Sequence, residues 1–417
     1  MRPCSPVLFT AAYGAGLATG LLRFGTPLGA TAVAVALALT GRPLPVLLGS
    51  AALVGRLSAE VAWLAETARC NTRFPQATLR LRVRVVEPVD ALGGRIAVRP
   101  IGGSCIGSVM ARWPRGHSVA AGSEVAVDGK WVVRPGPGGR PGGTLAVRQV
   151  GRILPRPSPA DRLRTYLYQT SHRLYGARAG MVDALILGRR GGIDPELQDR
   201  FAWSGLVHLL SISGFHVGLI TAWTVLLGRL ARLGRSRALV LAAATSVAYV
   251  GFLGWPAPAT RAAALAAVVA RCRLGQRHVQ ATPLLSATCL VVLLVDPWAI
   301  LDLGGWLSAS ALWGAATFSR WSDRTLGEHF VWRTLGSSVG ATLATAPITA
   351  AALGTVAPVG VVLNFVAIPL AALAVPGVIA SLLLPPLSPA LAAALAAGSG
   401  LALHLLELLA VAGAAMP

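Results

Sequence analysis

The sequence predicts a polytopic, all-α membrane protein of about 10–11 spans with one small β domain inserted between them. Three observations predict it. Of 417 residues, 54% are hydrophobic and only 13% charged, about half the roughly 25% charge of a soluble domain, and the mean hydropathy is +0.64. No Asp, Glu, Lys or Arg occurs from Thr334 to Leu406, which is room for about three spans at ~20 residues each. In water such a stretch would expose far more contiguous apolar surface than soluble proteins tolerate. Between residues 70 and 155 the character reverses, with frequent arginine and glycine and a period of two.

The elements follow in order. Residues 1–68 are read as N-terminal transmembrane spans, two or three of them, interrupted near Arg23 and Arg42. The first apolar run has no small-residue cleavage site, so it reads as a span and not as a removed signal peptide.

Residues 69–156 are read as a separate β domain. From Leu79 to Val85 apolar and basic residues alternate strictly, which suits a half-buried strand and not a helix. Further strands are expected at 95–100, 105–112, 124–133 and 144–153, parted by turns such as the Pro-Gly run at 134–139. Short strands at this density point to a small OB-like β barrel.

Residues 157–200 hold a helix and a connector. Ser158, Pro159 and Asp161 form a helix-start signature, with a capping serine, a proline in the first turn and an acid three residues on. The helix is expected to run to about Leu187, with Leu163, Leu167, Leu174, Met181 and Leu185 on one face and arginines elsewhere. Two placements fit: an amphipathic helix in the membrane interface, or a helix packed on the barrel.

Residues 201–417 form the main transmembrane domain, with spans expected near 204–228, 238–254, 258–270, 280–296, 303–319, 335–353, 358–384 and 389–412. Arginine clusters fall at 229–237, at 271–277 (Arg271, Arg273, Arg277) and at 320–333, with two spans between each cluster and the next. All three therefore share one side, and short arginine-rich loops face the cytoplasm. That puts the barrel outside. Cys70 and Cys105 would both lie in that oxidising compartment, either joined as a disulfide or as two independent thiols.

The net charge is +21, from 37 basic and 16 acidic residues, and Lys130 is the only lysine. Basic cytoplasmic loops in a GC-rich genome explain such an excess. So does a polyanionic ligand, whose phosphates arginine forks match in pairs. Five cysteines without a CxxC indicate neither a zinc ribbon nor a redox motif, and no metal or cofactor is expected.

The run GLVHLLSISGFHVGL at 205–219 places His208, Ser211, Ser213, Gly214 and His216 inside an apolar segment. Polar groups at membrane depth are costly unless they face protein or a water-filled cavity, and Ser-Ile-Ser-Gly invites a break in the helix. The bland alternative is small residues at tight helix contacts with histidines near the ends. Arg261 is a lone arginine between apolar segments, placed to meet a phosphate, to pair with Asp302, or to snorkel from a span end. Asp296 and Asp302 read as turn and cap residues.

This run resembles the signature of the ComEC competence-protein family, G-L-x-H-L-L-A-I-S-G-L-H-V-G-L. Pro258 to Ala262 is similar to the family's P-x-x-R-A segment, and Asn364 to Pro369 (NFVAIP) to its N-L-L-A-I-P. Asp296-Pro297 through Gly305 to Ser308 resembles its D-P…G-F-Q-L-S run, with Trp306 and Leu307 departing from Phe-Gln. The resemblance implies a channel passing single-stranded DNA across the bacterial cytoplasmic membrane during natural transformation. Its pathway residues would be His208, Ser211, Ser213, Gly214, His216, Arg261 and Asn364. Arg80, Arg82 and Arg84 on one barrel face would either contact the DNA backbone or form a solvated arginine face, with Trp113 and Trp131 the few aromatics for stacking. The partners expected are single-stranded DNA, a cytoplasmic motor and membrane lipid, with either a separate nuclease, a truncated gene or a residual paralogue accounting for the nuclease, and either a single chain or a homo-oligomer in the membrane. Many family members also carry a metallo-β-lactamase-like domain, but no two of the seven histidines here have its H-x-H-x-D-H spacing, so no enzyme activity is expected of this chain. A small-solute transporter and an intramembrane hydrolase using Ser211 or Ser213 with a histidine are the rival readings.

Overall fold

The computed structural model describes residues 6–415 except 104, 190, 211, 277–279 and 355–357. It is mostly helical, with one small barrel, and divides into two compact units: Ala11–Thr170, and Ser171–Pro417 together with the start of the chain through Thr10.

In the first unit, α1 (Pro6–Leu21), α2 (Pro27–Leu39) and α3 (Pro43–Thr67) each begin at a proline, whose fixed φ suits the first helical turn. The chain turns between them at left-handed Arg23 and at Gly41, close to the two expected breaks. α1 and α3 approach closely because Gly16 and Gly55 lack side chains. A Cβ on either would strike the opposing backbone, at Ala52 and at Tyr13.

The barrel consists of β1 (Thr78–Val85), β2 (Gly94–Ile101), β3 (Val109–Trp113), β4 (Glu124–Val133) and β5 (Gly143–Leu154). It closes in the order β1-β2-β3-β5-β4. Only the β3–β5 pairing is parallel among these, which gives an OB-like barrel. The alternation sends Val83, Val85, Val98, Ala111, Trp131 and Leu145 inward to a dry core and the arginines outward. The third strand starts at Val109 and not at 105, because Cys105 is disulfide-bonded to Cys70 and Ile106 bridges to Arg69 beside α4 (Cys70–Arg73).

α5 (Pro159–Tyr175) starts with the expected cap: the Ser158 backbone N–H donates to Asp161 at 3.0 Å and the Asp161 N–H donates back to Ser158 Oγ at 3.3 Å. Over its first turns α5 is bound to the barrel, since Arg84 of β1 reaches Asp161 at 3.3 Å and Tyr168 donates to Asp90 at 2.9 Å. The single helix expected to Leu187 is two. Gly176 adopts φ +53°, one 3-10 turn follows, and α6 (Ala179–Leu187) begins. Met181 and Leu185 therefore belong to a helix buried through Ile186 on every side, not to an amphipathic face.

In the second unit the helices after α6 are α7 (Pro195–Trp203), α8 (Gly214–Leu230), α9 (Arg235–Phe252), α10 (Ala257–Leu274), α11 (Ala281–Val295), α12 (Leu303–Thr325), α13 (Phe330–Leu353), α14 (Gly360–Leu383) and α15 (Pro389–Ala414). Chain neighbours pack as antiparallel hairpins: α8 on α9, α9 on α10, α12 on α13, α14 on α15. At the α12–α13 crossing Gly314 and Gly340 face each other, leaving no room for a Cβ on either. Among the described residues three helices are long and apolar enough to cross a membrane, α3, α14 and α15. α1, α8 and α11 and part of α2 are shorter apolar helices. Arg229, Arg235, Arg237, Arg271, Arg273, Arg320, Arg324 and Arg333 all flank the α8–α9, α10–α11 and α12–α13 junctions, while Arg277 lies outside the described residues.

Candidate functional site

Where a span is expected to start at residue 204, the helix begins ten residues later. α7 ends at Trp203, Gly205 takes φ +74°, Val207–Leu209 make one 3-10 turn, and α8 starts only at Gly214. The expected break therefore lies before Gly214, and this glycine is the first residue of the helix that follows. Ser211 lies outside the described residues.

Local chemistry explains where α8 starts. Ser213 is extended, and its Oγ accepts the Phe215 N–H at 3.3 Å. His216 Nδ1 accepts the Ser213 backbone N–H at 3.4 Å, closing a capping box in which histidine takes the usual Glu/Gln place. That bond assigns the proton to Nε2, and Nε2 is buried with no partner. His208 turns back on its own loop, its Nδ1 3.1 Å from the Gly205 carbonyl.

This segment packs on the start of α10. Ile212 and Val217 share a buried cluster with Val250, Ala259 and Ala263, and a Cβ on Gly214 would lie 3.4 Å from the Ala262 methyl. One residue before Ala262, Arg261 donates from Nη1 to Asp302 at 3.0 Å and from Nη2 to Ser308 at 3.2 Å. The arginine side chain is 13% exposed and the aspartate 42%, so the cation is sheltered and the carboxylate is the wet side of the pair. Arg261 Nε is buried and unpartnered. Asp302 also caps α12 through the Gly304 N–H at 3.3 Å, and Asp296 accepts from Trp298 N–H at 3.3 Å, the turn and cap duties read from sequence. On the far side of the broken segment Gly360 opens α14, and a Cβ there would lie 3.3 Å from the Ser204 carbonyl. One turn on, Asn364 keeps its Oδ1 buried and unpartnered.

The arginines of β1 are engaged by acids of their own unit. Arg80 forks onto Asp128 at 3.0 and 3.3 Å, Arg82 reaches Glu124 at 3.1 Å, and Arg84 reaches Asp161 at 3.3 Å. Register sets Arg80 directly opposite Asp128 on β4 and leaves Arg82 diagonal to Glu124, whereas the partner of Arg84 comes from α5. The Asp128 carboxylate raises the Arg80 pKa still further above its ordinary value. Trp113 and Trp131 are core residues, 3% and 0% exposed, and offer no stacking surface. Cys70 and Cys105 are joined as a disulfide with Cα atoms 4.7 Å apart.

Sequence reasoning missed two buried carboxylates. Glu66, 2% exposed, accepts from Arg140 at 2.9 Å and so fastens α3 to the loop before β5. Asp183, 3% exposed in α6, accepts from Ser171 Oγ at 2.6 Å and lies 3.2 Å from His172 Nε2. Burial pushes the Asp183 carboxyl above the ordinary carboxylate range. A lone acid within the apolar stretch Gly180–Leu187 was the available signal. A cavity of about 440 Å³ lies apart from the broken segment, between the end of α5 and α15, lined by Arg173, Tyr175, Arg178 and His404 among others. No group of three or more His, Cys, Asp or Glu among the described residues is arranged to hold a metal ion.

No solved structure matches the chain. Over 150 residues it is 37% identical to Competence protein ComA of Neisseria gonorrhoeae, covering 33% of this chain and 21% of that protein. Over 131 residues it is 32% identical to ComE operon protein 3 of Bacillus subtilis (strain 168), covering 31% of this chain and 17% of that protein. The chain thus spans about a fifth of the length of these relatives. Residues 185–417, more than half of the chain and all the motifs that meet around the broken segment, match the model of the Competence protein family, and the chain belongs to that family.

Proposed function

We propose that this chain forms the membrane channel through which single-stranded DNA crosses the bacterial cytoplasmic membrane during natural transformation. Membership of the competence family supports a role in DNA uptake. The observation that carries the finer reading is the stretch at 204–210 and 212–213. There the backbone leaves the helix, and the motif residues around it keep His216 Nε2, Arg261 Nε and Asn364 Oδ1 buried without partners. Buried polar atoms nearly always find a partner. Irregular backbone at membrane depth persists where it is buried in protein or lines a water-filled cavity, and three orphan atoms in three family motifs fit a lining that meets a polar passenger.

In this reading α1–α3 and α8–α15 all cross the membrane, in line with about 10–11 spans, and the arginine-flanked junctions face the cytoplasm. The barrel is then extracytoplasmic. A cysteine introduced by Gly138→Cys should react with an impermeant thiol reagent in intact cells or spheroplasts, and labelling only after membrane lysis would overturn the orientation. A nuclease and a cytoplasmic motor would act together with such a channel.

The deciding experiment deletes the gene and measures internalised labelled DNA at matched surface binding. Internalisation should fall to background with surface binding intact. Unchanged internalisation sinks the proposal.

One observation favours a second reading. Ser213 Oγ and His216 Nδ1 lie 3.3 Å apart, nucleophile-to-base distance for an intramembrane hydrolase. Nδ1 already accepts a backbone N–H, however, and Nε2 has no acid to orient it. Covalent labelling of Ser213 by a fluorophosphonate would promote this reading above the channel.

A further inference from the structure

The neutralisation of the β1 arginines leaves a different set of cations free on the barrel. Strand register defines a row around its outer surface: Arg95 on β2 stands opposite Arg112 on β3, Arg112 opposite Ala146 on β5, and Ala146 opposite Lys130 on β4. Arg95, Arg112 and Lys130 are all exposed, and none makes an ion pair among the described residues. By contrast Asp128 and Glu124, the acids of β4, are both held by arginines on the β1 side.

Two like charges directly opposite on antiparallel strands destabilise a sheet. Arg95 and Arg112 are such a pair, and the small Ala146 beside them leaves the way open to Lys130. The three cations follow an arc of about 14 Å, three strand spacings. The adjacent row, Ala97, Met110, Thr144 and Val132, carries no charge, and Met110 and Val132 are 44% and 39% exposed. A cationic row beside an exposed apolar row matches the two sides of a single nucleic-acid strand, phosphates on one and bases and sugars on the other.

We infer that the barrel binds the backbone of single-stranded DNA across β2, β3, β5 and β4, through Arg95, Arg112 and Lys130, and not through the arginines of β1. The inference rests on the DNA-uptake reading and adds the place and manner of contact. Both tryptophans of the barrel are buried, so the site lacks aromatic stacking, and its binding is electrostatic, indifferent to sequence and steeply dependent on salt.

The test uses the full chain in nanodiscs of neutral lipid and a fluorescent oligothymidylate, with anisotropy followed across a salt series. Arg95→Gln/Arg112→Gln/Lys130→Gln should weaken binding at low salt about 10-fold or more and flatten the log–log salt slope by about 2, for three lost contacts at ~0.7 each. Arg80→Gln/Arg82→Gln should change affinity by less than about twofold, because those charges are already paired. Arg95→Lys/Arg112→Lys should keep the slope, since the charge survives without the fork. That variant separates lost contact from misfolding. The triple variant should also melt no lower than wild type, having lost the like-charge opposition. Wild-type affinity in the triple variant, a larger loss in the β1 variant, or no binding by the wild-type chain at low salt each overturns the site. If DNA internalisation still depends on the gene in that event, only the site has failed. If it does not, the uptake reading has failed with it.

Discussion

Arg261 and Asp302, from two separate motifs, are joined by a 3.0 Å bond in which the arginine is sheltered and the aspartate is half in solvent. Ser308, in the same motif as Asp302, takes the second guanidinium nitrogen at 3.2 Å. The fork thus ties the start of α10 to the first turns of α12, and it leaves Nε unused.

Arg261→Ala should cost about 1–2 kcal/mol of stability, less than a fully buried pair because Asp302 can turn to water. DNA uptake per molecule of folded protein should fall further than abundance does. Arg261→Lys should retain part of the function, since a point charge holds Asp302 or Ser308 but not both in the same plane. Uptake normalised to a quantitative blot checks this; normal uptake per molecule in Arg261→Ala would leave the residue as a structural clamp alone.

Gly214 and His216 separate packing from lining. Gly214→Ala should be tolerated, since its methyl meets Ala262 at an ordinary 3.4 Å, whereas Gly214→Leu should press the first turn of α8 off α10 and reduce uptake per molecule. His216→Ala removes half of the capping box and should cost about 1 kcal/mol. His216→Gln restores the cap, so uptake that stays low in His216→Gln with normal abundance marks Nε2 as a pathway group. Full recovery assigns the histidine to capping.

The Cys70–Cys105 bond closes a loop with a sequence separation of 35. By the chain-entropy relation such a closure stabilises by about 3–4 kcal/mol. Cys105→Ser should therefore lower the barrel's melting transition, and non-reducing mass mapping should recover a single cross-linked peptide. Two free thiols in protein prepared without reductant would end the assignment.

Asp161 gives the barrel a pH dependence of known sign. Burial opposes its charge, but hydrogen bonds from the Ser158 side chain and backbone, with Arg84 and Arg164 nearby, more than offset this and hold the carboxyl below the ordinary range. A depressed folded-state pKa contributes stability above the unfolded value near ~3.9, lost as pH falls through the folded value. Asp161→Asn should thus destabilise at pH 7 and matter progressively less below about pH 4. Equal destabilisation at both ends, read by thermal melts, would mean that packing and not charge is at stake.

What could be read along the chain was whatever depends on residues within a few positions of one another. The alternation from Leu79 to Val85 gave a strand because side-chain direction has a period of two. Ser158 with Asp161, and Asp296 and Asp302 before their turns, revealed caps because a capping bond closes within three residues. The membrane character lay in composition, and the break in the His208–His216 run in its serines and glycine. Only tertiary structure decided which charges meet. Arg80, Arg82 and Arg84 look like free cations until β1 is laid beside β4 and α5 closes on the barrel, at which point Asp128, Glu124 and Asp161 neutralise them. Arg95, Arg112 and Lys130 are far apart in sequence and become one row only through register. The same holds for the fork between Arg261 and Asp302, for Gly360 against Ser204, and for the solitary nitrogen of His216. An ion pair or an orphaned polar atom depends on what packing brings to within about 3–4 Å, and local propensity carries no record of that distance.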